Sequence, residues 1–247
     1  MRNPDAWKPT KFVFRNGRLS GSRDPQEVGI GSWLAADLTA AFYGKYIPEH
    51  ATGRLVDLGC GKVPLFEAYR PYIIDNVCVD WGGTLHKSPH LDYECDLNQS
   101  LPLPDAQFQT IILSDVLEHI AEPERLWREM ARLLTPGGKV LMNVPFFYWL
   151  HETPHDYYRY TEFALRRFAE RAGFEVVVME TTGGTPEILA DIAAKRLRSK
   201  ALVGPVLARL VQWLTAVYLK TPFGKRRSRK TGKAFPFGYF MVARKHA

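Results

Sequence analysis

A glycine turn directly after an apolar run is the part of this sequence best suited to binding a ligand. The run 54–58 contains Asp57, and Gly59, Cys60 and Gly61 follow it. Two glycines separated by one residue allow a tight turn and a close backbone approach to a ligand, because neither carries a Cβ atom. The carboxylate of Asp57 can accept hydrogen bonds from a cationic or hydroxyl-bearing ligand. The segment therefore predicts a site for a nucleotide-like cofactor.

The same turn departs from the dinucleotide-binding fingerprint. That fingerprint has a third glycine for close helix packing, whereas Lys62, Val63 and Pro64 follow Gly61 here. An isolated pair of glycines is also compatible with a purely structural turn between a strand and a helix. The residues further along the chain are needed to separate these interpretations.

Acidic residues recur where later strands are predicted to end. Asp80 closes the apolar run 76–80, where an acid can hold the two ribose hydroxyls of a nucleoside. Asp96 lies in the next loop, where a carboxylate can accept from an adenine amino group, and the strand 110–114 runs into Asp115. Each acid alone is compatible with a solvated loop or a helix cap. Together, in this order, they favour a nucleoside-containing ligand.

Strands and helices alternate along the chain. Strands are predicted at 55–58, 76–80, 110–114, 139–144, 175–180 and 237–243, and helices at 33–46, 64–72, 122–134 and 162–172, with a Pro-Gly-Gly turn at 136–138. Such alternation predicts an α/β fold with a parallel sheet covered by helices on both faces. Ligands of such folds bind at the carboxyl ends of the strands.

Taken together, these motifs resemble those of class I S-adenosylmethionine-dependent methyltransferases. The similarity covers roughly residues 50–182 and rests on the motifs at 56–61, 79–80, 96–97, 101–105 with Phe108, 117–119 and 134–138. It implies a Rossmann-like fold with a mostly parallel seven-stranded sheet, S-adenosyl-L-methionine as the cofactor, and methyl transfer as the reaction.

The resemblance also assigns roles to individual residues. Asp57 and the backbone of Gly59, Cys60 and Gly61 would hold the methionine part of the cofactor. Around the nucleoside, Asp80 would bind the ribose, Trp81 would pack near the adenine, Asp96 and Leu97 would meet its amino group, and Ser114 and Asp115 would close over the cofactor.

The loop 145–161 follows the fifth predicted strand and should lie over the transferred methyl group. It contains His151, His155 and Asp156 among many aromatic residues. A hydroxyl acceptor needs a base, and histidine is suited to that role near neutral pH. We predict His155 as the base, with Asp156 beside it and with His151 or His119 as the alternatives. A structural role is the competing interpretation for each histidine.

The sequence predicts no metal site, with a metal-dependent variant as the alternative. No two histidines share a helical face with a third ligand, and His151 and His155 fall in a predicted loop.

The acceptor is predicted from a narrower resemblance. The loop 145–161, with 171–175 and 237–245, resembles a bacterial branch of the family associated with cell-surface polysaccharide or glycolipid biosynthesis. It implies O-methylation of a sugar hydroxyl on a glycan, a nucleotide sugar or a lipid-linked saccharide. The alternatives are a quinone or other small-molecule C- or O-methyltransferase, and a cofactor-binding adaptor without catalysis.

The positive charge of the chain is concentrated in one segment. The chain has a net charge of +7, and residues 185–234 hold twelve Lys and Arg against Glu187 and Asp191. Within them, 202–219 is almost entirely apolar, but Arg209 near its centre makes bilayer spanning costly. We predict a peripheral helix that binds an anionic membrane surface through 195–233. A solvated basic face and a nucleic-acid site are the alternatives.

The rest of the sequence predicts the domain boundaries and the cellular location. We predict a leader and capping helix at 1–50, a cofactor-binding core at 51–184, the basic insertion at 185–234 and a final core strand at 235–247. Three cysteines without a CxxC pair and an N-terminus without an export signal favour the cytoplasm, with a possible peripheral location on the inner face of the membrane. The sequence does not determine the oligomeric state.

Overall fold

A computed structural model describes residues 1–83, 88–200 and 202–247. The strands are β1 (Phe12–Arg15), β2 (Arg18–Gly21), β3 (Arg54–Leu58), β4 (Asp75–Asp80), β5 (Tyr93–Glu94), β6 (Phe108–Ser114), β7 (Leu134–Pro145), β8 (Phe174–Thr181) and β9 (Gly238–Lys245). The α-helices are α1 (Trp33–His50), α2 (Phe66–Tyr69), α3 (Pro123–Leu133), α4 (Glu162–Arg171), α5 (Thr185–Arg198), α6 (Gly204–Lys220) and α7 (Pro222–Gly232). Short 3-10 helices occur at Pro4–Ala6, Ile30–Ser32, Arg70–Tyr72 and Leu117–His119.

Seven strands form one sheet in the order β5-β4-β3-β6-β7-β9-β8. The strands from β5 to β7 pair in parallel, whereas β9 is antiparallel to both β7 and β8. This arrangement confirms the predicted α/β fold with a mostly parallel seven-stranded sheet. Because β3, β4 and β6 are parallel neighbours, the residues that follow them lie at the same edge of the sheet.

The strands are buried on both faces, and alternate residues belong to different cores. Val56 and Leu58 of β3 pack with α3 and α4, whereas Leu55 packs with α1 and α2. The same alternation separates Ile111 from Ile112 in β6. Helices therefore cover both faces, as predicted, because successive side chains of a strand point in opposite directions.

Two predicted element boundaries are wrong. The Pro-Gly-Gly stretch 136–138 lies within β7, because Leu134 already pairs with Phe108 before the register shifts. The helix predicted at 64–72 is reduced to α2 and a 3-10 turn. Pro71 in that turn has no amide hydrogen, so it cannot extend the α-helical hydrogen-bond ladder.

The N-terminal region contains a hairpin where the sequence predicted only a polar leader. β1 and β2 pair antiparallel around Asn16 and Gly17, both with positive φ. Asn-Gly is the strongest short signal for such a turn, so the sequence contained the information. Phe12 and Leu19 of the hairpin are buried in the core that contains α1.

The basic segment forms the three helices α5, α6 and α7, which lie in sequence between the two antiparallel strands β8 and β9. Gln212 anchors α6 from a buried position. Its side chain accepts a hydrogen bond from the amide of Leu34 at 2.9 Å and donates one to the carbonyl of Gly31 at 3.1 Å. Among the described residues, no helix combines the length and apolarity needed to cross a bilayer.

Candidate functional site

A cavity of about 600 Å³ opens at the carboxyl ends of β3, β4 and β6. Its lining comes from the turn after β3, the ends of β4 and β6, the N-terminal region and the loop after β7. The lining residues are Thr10, Lys11, Glu27, Gly59, Cys60, Gly61, Lys62, Pro64, Asp80, Trp81, Gly83, Asp96, Leu97, Asn98, Ser114, Asp115, Val116, His119, Ile120, Glu152, Thr153, Pro154, His155 and Tyr157.

The glycine turn is fixed by hydrogen bonds to the end of β4. The amide of Gly59 donates to the carbonyl of Val79 at 2.8 Å, and the amide of Gly61 donates to the carboxylate of Asp80 at 2.9 Å. Gly59 has φ +72°, and a Cβ atom there would lie 2.5 Å from Cγ2 of Val116. The absence of a side chain at this position is therefore a steric requirement of the turn.

Nine of the ten predicted cofactor residues line this cavity: Gly59, Cys60, Gly61, Asp80, Trp81, Asp96, Leu97, Ser114 and Asp115. Asp96 also accepts hydrogen bonds from the amide and side chain of Asn98, at 2.8 and 2.9 Å. It therefore also stabilises its own loop.

Asp57 is the exception, because it lies buried behind the lining. It is 3% exposed and accepts a hydrogen bond of 3.4 Å from the hydroxyl of Tyr69. Burial, assisted by the negative charge of Asp80, raises the pKa of Asp57 to about 7. A positive charge near the turn would favour its ionised form.

The N-terminal region supplies cavity residues that the sequence did not indicate. The ammonium of Lys11 lies 2.6 Å from the carboxylate of Asp115, and Lys62 pairs with Glu27 at 2.8 Å. Lys11 precedes β1 and carries no motif, and its partner is more than a hundred residues away. Only the fold brings the two residues together.

Two of the predicted histidines, His119 and His155, line the cavity. The ring of His155 is edge-on to Trp81 with the centroids 5.0 Å apart, and its Nδ1 lies 3.2 Å from the hydroxyl of Tyr157. The ring of His151 lies 4.7 Å from that of His119, but His151 is not among the lining residues. Burial, together with the neighbouring His119, lowers the pKa of His151.

The carboxylate of Asp156 does not orient His155, although the two are adjacent in sequence. It accepts two hydrogen bonds from Arg159, at 2.6 and 2.8 Å, and one of 2.9 Å from the amide of His151. Burial opposes its ionisation, but these hydrogen bonds lower the pKa of Asp156 to about 2. The expected pairing of Asp156 with His155 is therefore replaced by pairing with Arg159 and His151.

Glu118 is a further acid that the sequence did not single out as a site residue. It is fully buried beside His119 and His151, and burial followed by repulsion from Asp115 raises its pKa well above the usual value. The motif 117–119 pointed to this segment. It did not indicate which of its side chains would turn inward.

Comparison with known proteins agrees with this geometry. A family model described as a methyltransferase domain matches residues 34–178, more than half of the chain. The chain belongs to this family. The match and the parallel sheet confirm the predicted class, with S-adenosylmethionine as its cofactor.

Individual relatives are more distant. A ubiquinone biosynthesis O-methyltransferase of Coxiella burnetii is 27% identical over 111 residues, which are 40% of this chain and 47% of the relative. A demethylmenaquinone methyltransferase of Renibacterium salmoninarum is 29% identical over 94 residues, which are 36% of this chain and 40% of the relative. The matches thus span about half the length of these relatives or less.

A solved structure extends the likeness over most of the chain. The phosphoethanolamine N-methyltransferase 2 of Haemonchus contortus, in complex with phosphomonomethylethanolamine and S-adenosylhomocysteine, has a TM-score of 0.52 and 16% identity. The alignment covers 89% of this chain and 58% of that one. At this identity the likeness shows the fold alone.

The steric requirement at Gly59 gives a matched test. Gly59→Ala and Gly137→Ala both place a side chain at positive φ, but only the first meets a neighbour, because nothing lies within 4 Å of a Cβ at Gly137. We expect Gly59→Ala to lower the free energy of unfolding by about 1–3 kcal/mol more than Gly137→Ala. It should also weaken S-adenosylhomocysteine binding measured by calorimetry. Equal losses in the two variants would contradict a specific role for the turn.

The raised pKa of Asp57 predicts a pH-dependent stability. Between its ordinary value of 3.8 and about 7, the folded state keeps a proton that the unfolded state has released, so the free energy of unfolding falls as pH rises. Asp57→Asn has no such proton. Over that range its stability should rise relative to the wild type by a few kcal/mol, at about 1.4 kcal/mol per pKa unit.

Denaturant unfolding of the cofactor-free protein at several pH values measures this difference. Asp5→Asn, at an exposed position, controls for the loss of one negative charge. A stability difference for Asp57→Asn that does not change with pH would show that Asp57 is ionised in the folded state throughout.

Proposed function

We propose that this protein transfers a methyl group from S-adenosylmethionine to a hydroxyl of a small aromatic acceptor of the quinol type. The observation that carries this proposal is the pair of rings, His155 and Tyr157, that line the same cavity as the glycine turn, beside Trp81, which would pack near the adenine. Flat rings favour a flat acceptor. The two relatives, which are named as a ubiquinone biosynthesis O-methyltransferase and a demethylmenaquinone methyltransferase, support the same class.

The cofactor would occupy the half of the cavity formed by the strand ends. The turn at Gly59 and Gly61 lines the cavity, and Asp80 and Asp96 line the adjoining wall, where a ribose and an adenine would be recognised. Asp57, buried beneath the turn, would add negative charge under a cationic group. S-adenosylmethionine supplies an electrophilic methyl group on a sulfonium, and the protein's task is then positioning and exclusion of water.

The acceptor hydroxyl must lose its proton as the new bond forms. His155 is the proposed base, because it lines the cavity and its Nδ1 lies near the hydroxyl of Tyr157, which leaves Nε2 available. His119 is placed differently: its Nδ1 lies 2.8 Å from the carbonyl of His155, so this contact fixes its ring. Asp156, held by Arg159, would act on the site only through His151.

A sugar hydroxyl, our first prediction from the sequence, is the second candidate. Histidines and acids beside aromatic rings also suit a polyol, which needs a base and flat faces for stacking. The cavity has these groups in His155, Glu152 and Tyr157. A polyol and a quinol are told apart by offering both to the protein.

A methyl-transfer assay with labelled S-adenosylmethionine tests the proposal. We expect transfer to a catechol or quinol with a short apolar tail, and His155→Ala should lower kcat by about 10²–10⁴-fold while S-adenosylhomocysteine still binds. His246→Ala, at an exposed position, is the matched histidine control. Transfer only to a nucleotide sugar or a lipid-linked saccharide would favour the second candidate. Cofactor binding without transfer to any acceptor would favour an adaptor role.

We further propose that the helices α5 to α7 rest on an anionic membrane surface. Val206, Leu210, Trp213 and Val217 follow helical spacing along α6 and are 42–61% exposed. On α7, the exposed cations are Lys225, Arg226, Arg227, Arg229 and Lys230. Apolar side chains beside a basic helix are typical of interfacial binding. Nucleic-acid binding would not require the apolar face, and a membrane location would suit a lipophilic acceptor.

Liposome flotation tests this surface. The full chain should float with vesicles containing phosphatidylglycerol and float less with purely zwitterionic vesicles, because the basic helix adds electrostatic attraction. The double variant Val206→Glu/Trp213→Glu should lose flotation. Ile74→Glu/Phe163→Glu adds the same charge at exposed apolar residues elsewhere and should retain it. Equal behaviour of the two double variants, or no flotation of the wild type, would reject the membrane proposal.

A further inference from the structure

We propose that Glu118, His119 and His151 form a binding site for one divalent transition-metal ion in the wall of the cavity. Each residue offers one ligand atom, and these atoms all lie within 4.8 Å of one another. The Nε2 atoms of His119 and His151 are 3.8 and 3.9 Å from the same carboxylate oxygen of Glu118. Two histidines and one carboxylate are a recurrent ligand set for such ions.

The strongest indication is the state of the Glu118 carboxylate. Its side chain is 0% exposed, and neither oxygen accepts a hydrogen bond from another residue within the described part of the chain. A buried carboxylate without a partner is costly, so such groups are usually paired or coordinate a metal. A cation between Glu118 and the two imidazoles would satisfy it.

Neighbouring cations do not fill this role. The ammonium of Lys11 is bonded to Asp115 at 2.6 Å, and the guanidinium of Arg159 is bonded to both oxygens of Asp156. Both of these positive side chains therefore have a carboxylate partner other than Glu118. Neither cation is bonded to the Glu118 carboxylate.

The two histidines are oriented as metal ligands usually are. Nδ1 of His119 lies 2.8 Å from the carbonyl oxygen of His155, so this nitrogen donates and Nε2 keeps its lone pair. Nδ1 of His151 lies 3.4 Å from the carboxylate of Asp156 and 3.3 Å from the carbonyl of Trp149. A carbonyl or carboxylate on the far ring nitrogen fixes the tautomer and orientation of a ligating histidine.

The ligand set also indicates the kind of ion. Imidazole nitrogens suit Zn²⁺, and the chemically similar Co²⁺, better than Mg²⁺, Ca²⁺ or Mn²⁺, which prefer oxygen ligands. Three protein ligands leave positions open, and His119 lines the cavity. An acceptor hydroxyl bound at an open position would become more acidic. This last role rests on the proposed function, whereas binding of the ion does not.

Cobalt titration of the chelator-treated full chain tests the site directly. We expect one Co²⁺ to bind with visible absorption bands, and Zn²⁺ to displace it. Glu118→Gln and His151→Ala should each weaken Co²⁺ binding by at least ~10-fold, and Asp156→Asn by about 10–100-fold, the usual effect of losing a group that orients a ligand. His246→Ala, the exposed control, should bind like the wild type.

Cobalt binding that is absent at millimolar concentration, or that is unchanged in Glu118→Gln, would overturn the site and leave Glu118 as a buried neutral acid. S-adenosylhomocysteine binding, measured on every variant, verifies that each one is folded. Failure of the two proposals can be distinguished. Methyl transfer to a quinol that persists in the chelator-treated protein rejects the catalytic role of the ion alone, whereas specific Co²⁺ binding without any transfer rejects the proposed acceptor alone.

Discussion

The cavity depends on the hydrogen bonds that tie the turn after β3 to the end of β4. β3 lies between two parallel neighbours and is buried on both faces, so its backbone must satisfy its polar groups within the sheet until it ends. Beyond Leu58, the amides of Gly59 and Gly61 bond to Val79 and Asp80. The chain is thereby pulled toward β4, and Val116 from the loop after β6 closes against Gly59. The ends of β3, β4 and β6 together form the floor of the cavity.

Ion pairs stabilise the opposite wall of the cavity. Asp115, Glu118 and Asp156 lie close together, and within the described residues Lys11 pairs with Asp115 and Arg159 pairs with Asp156. A buried carboxylate without a partner is costly. The chain segments that carry these acids and their cations must therefore stay in contact with one another. Lys11 fixes the N-terminal region over the cavity, and Arg159 fixes the loop after β7. The rigid floor and the charged wall come from widely separated parts of the chain.

This difference between strand ends and distant contacts explains which site residues could be predicted from the sequence. Asp80, Ser114 and Asp115 could be placed from the sequence because the first two end a strand and the third directly follows one, and parallel strands end at a common edge. Asp57 belongs to the motif of the glycine turn, but the alternation of side chains along β3 turns it into the core. Lys11 could not be assigned, because its place in the site depends on a contact with a residue more than a hundred positions away. Glu118 could not be assigned, because the sequence does not show which side chain of a short 3-10 helix points inward.

In the loop after β7, the sequence also did not show which side chains interact. Adjacency in sequence suggested that Asp156 would serve His155, but an irregular backbone does not keep neighbouring side chains on one face. Asp156 turns inward to Arg159 and His151, while His155 faces the cavity beside Trp81. Under the proposed function, the residues that would bind the nucleoside lie at strand ends, an arrangement that many acceptor specificities can share. The groups that would face the acceptor lie in this loop and in the N-terminal region, where sequence spacing says least about geometry.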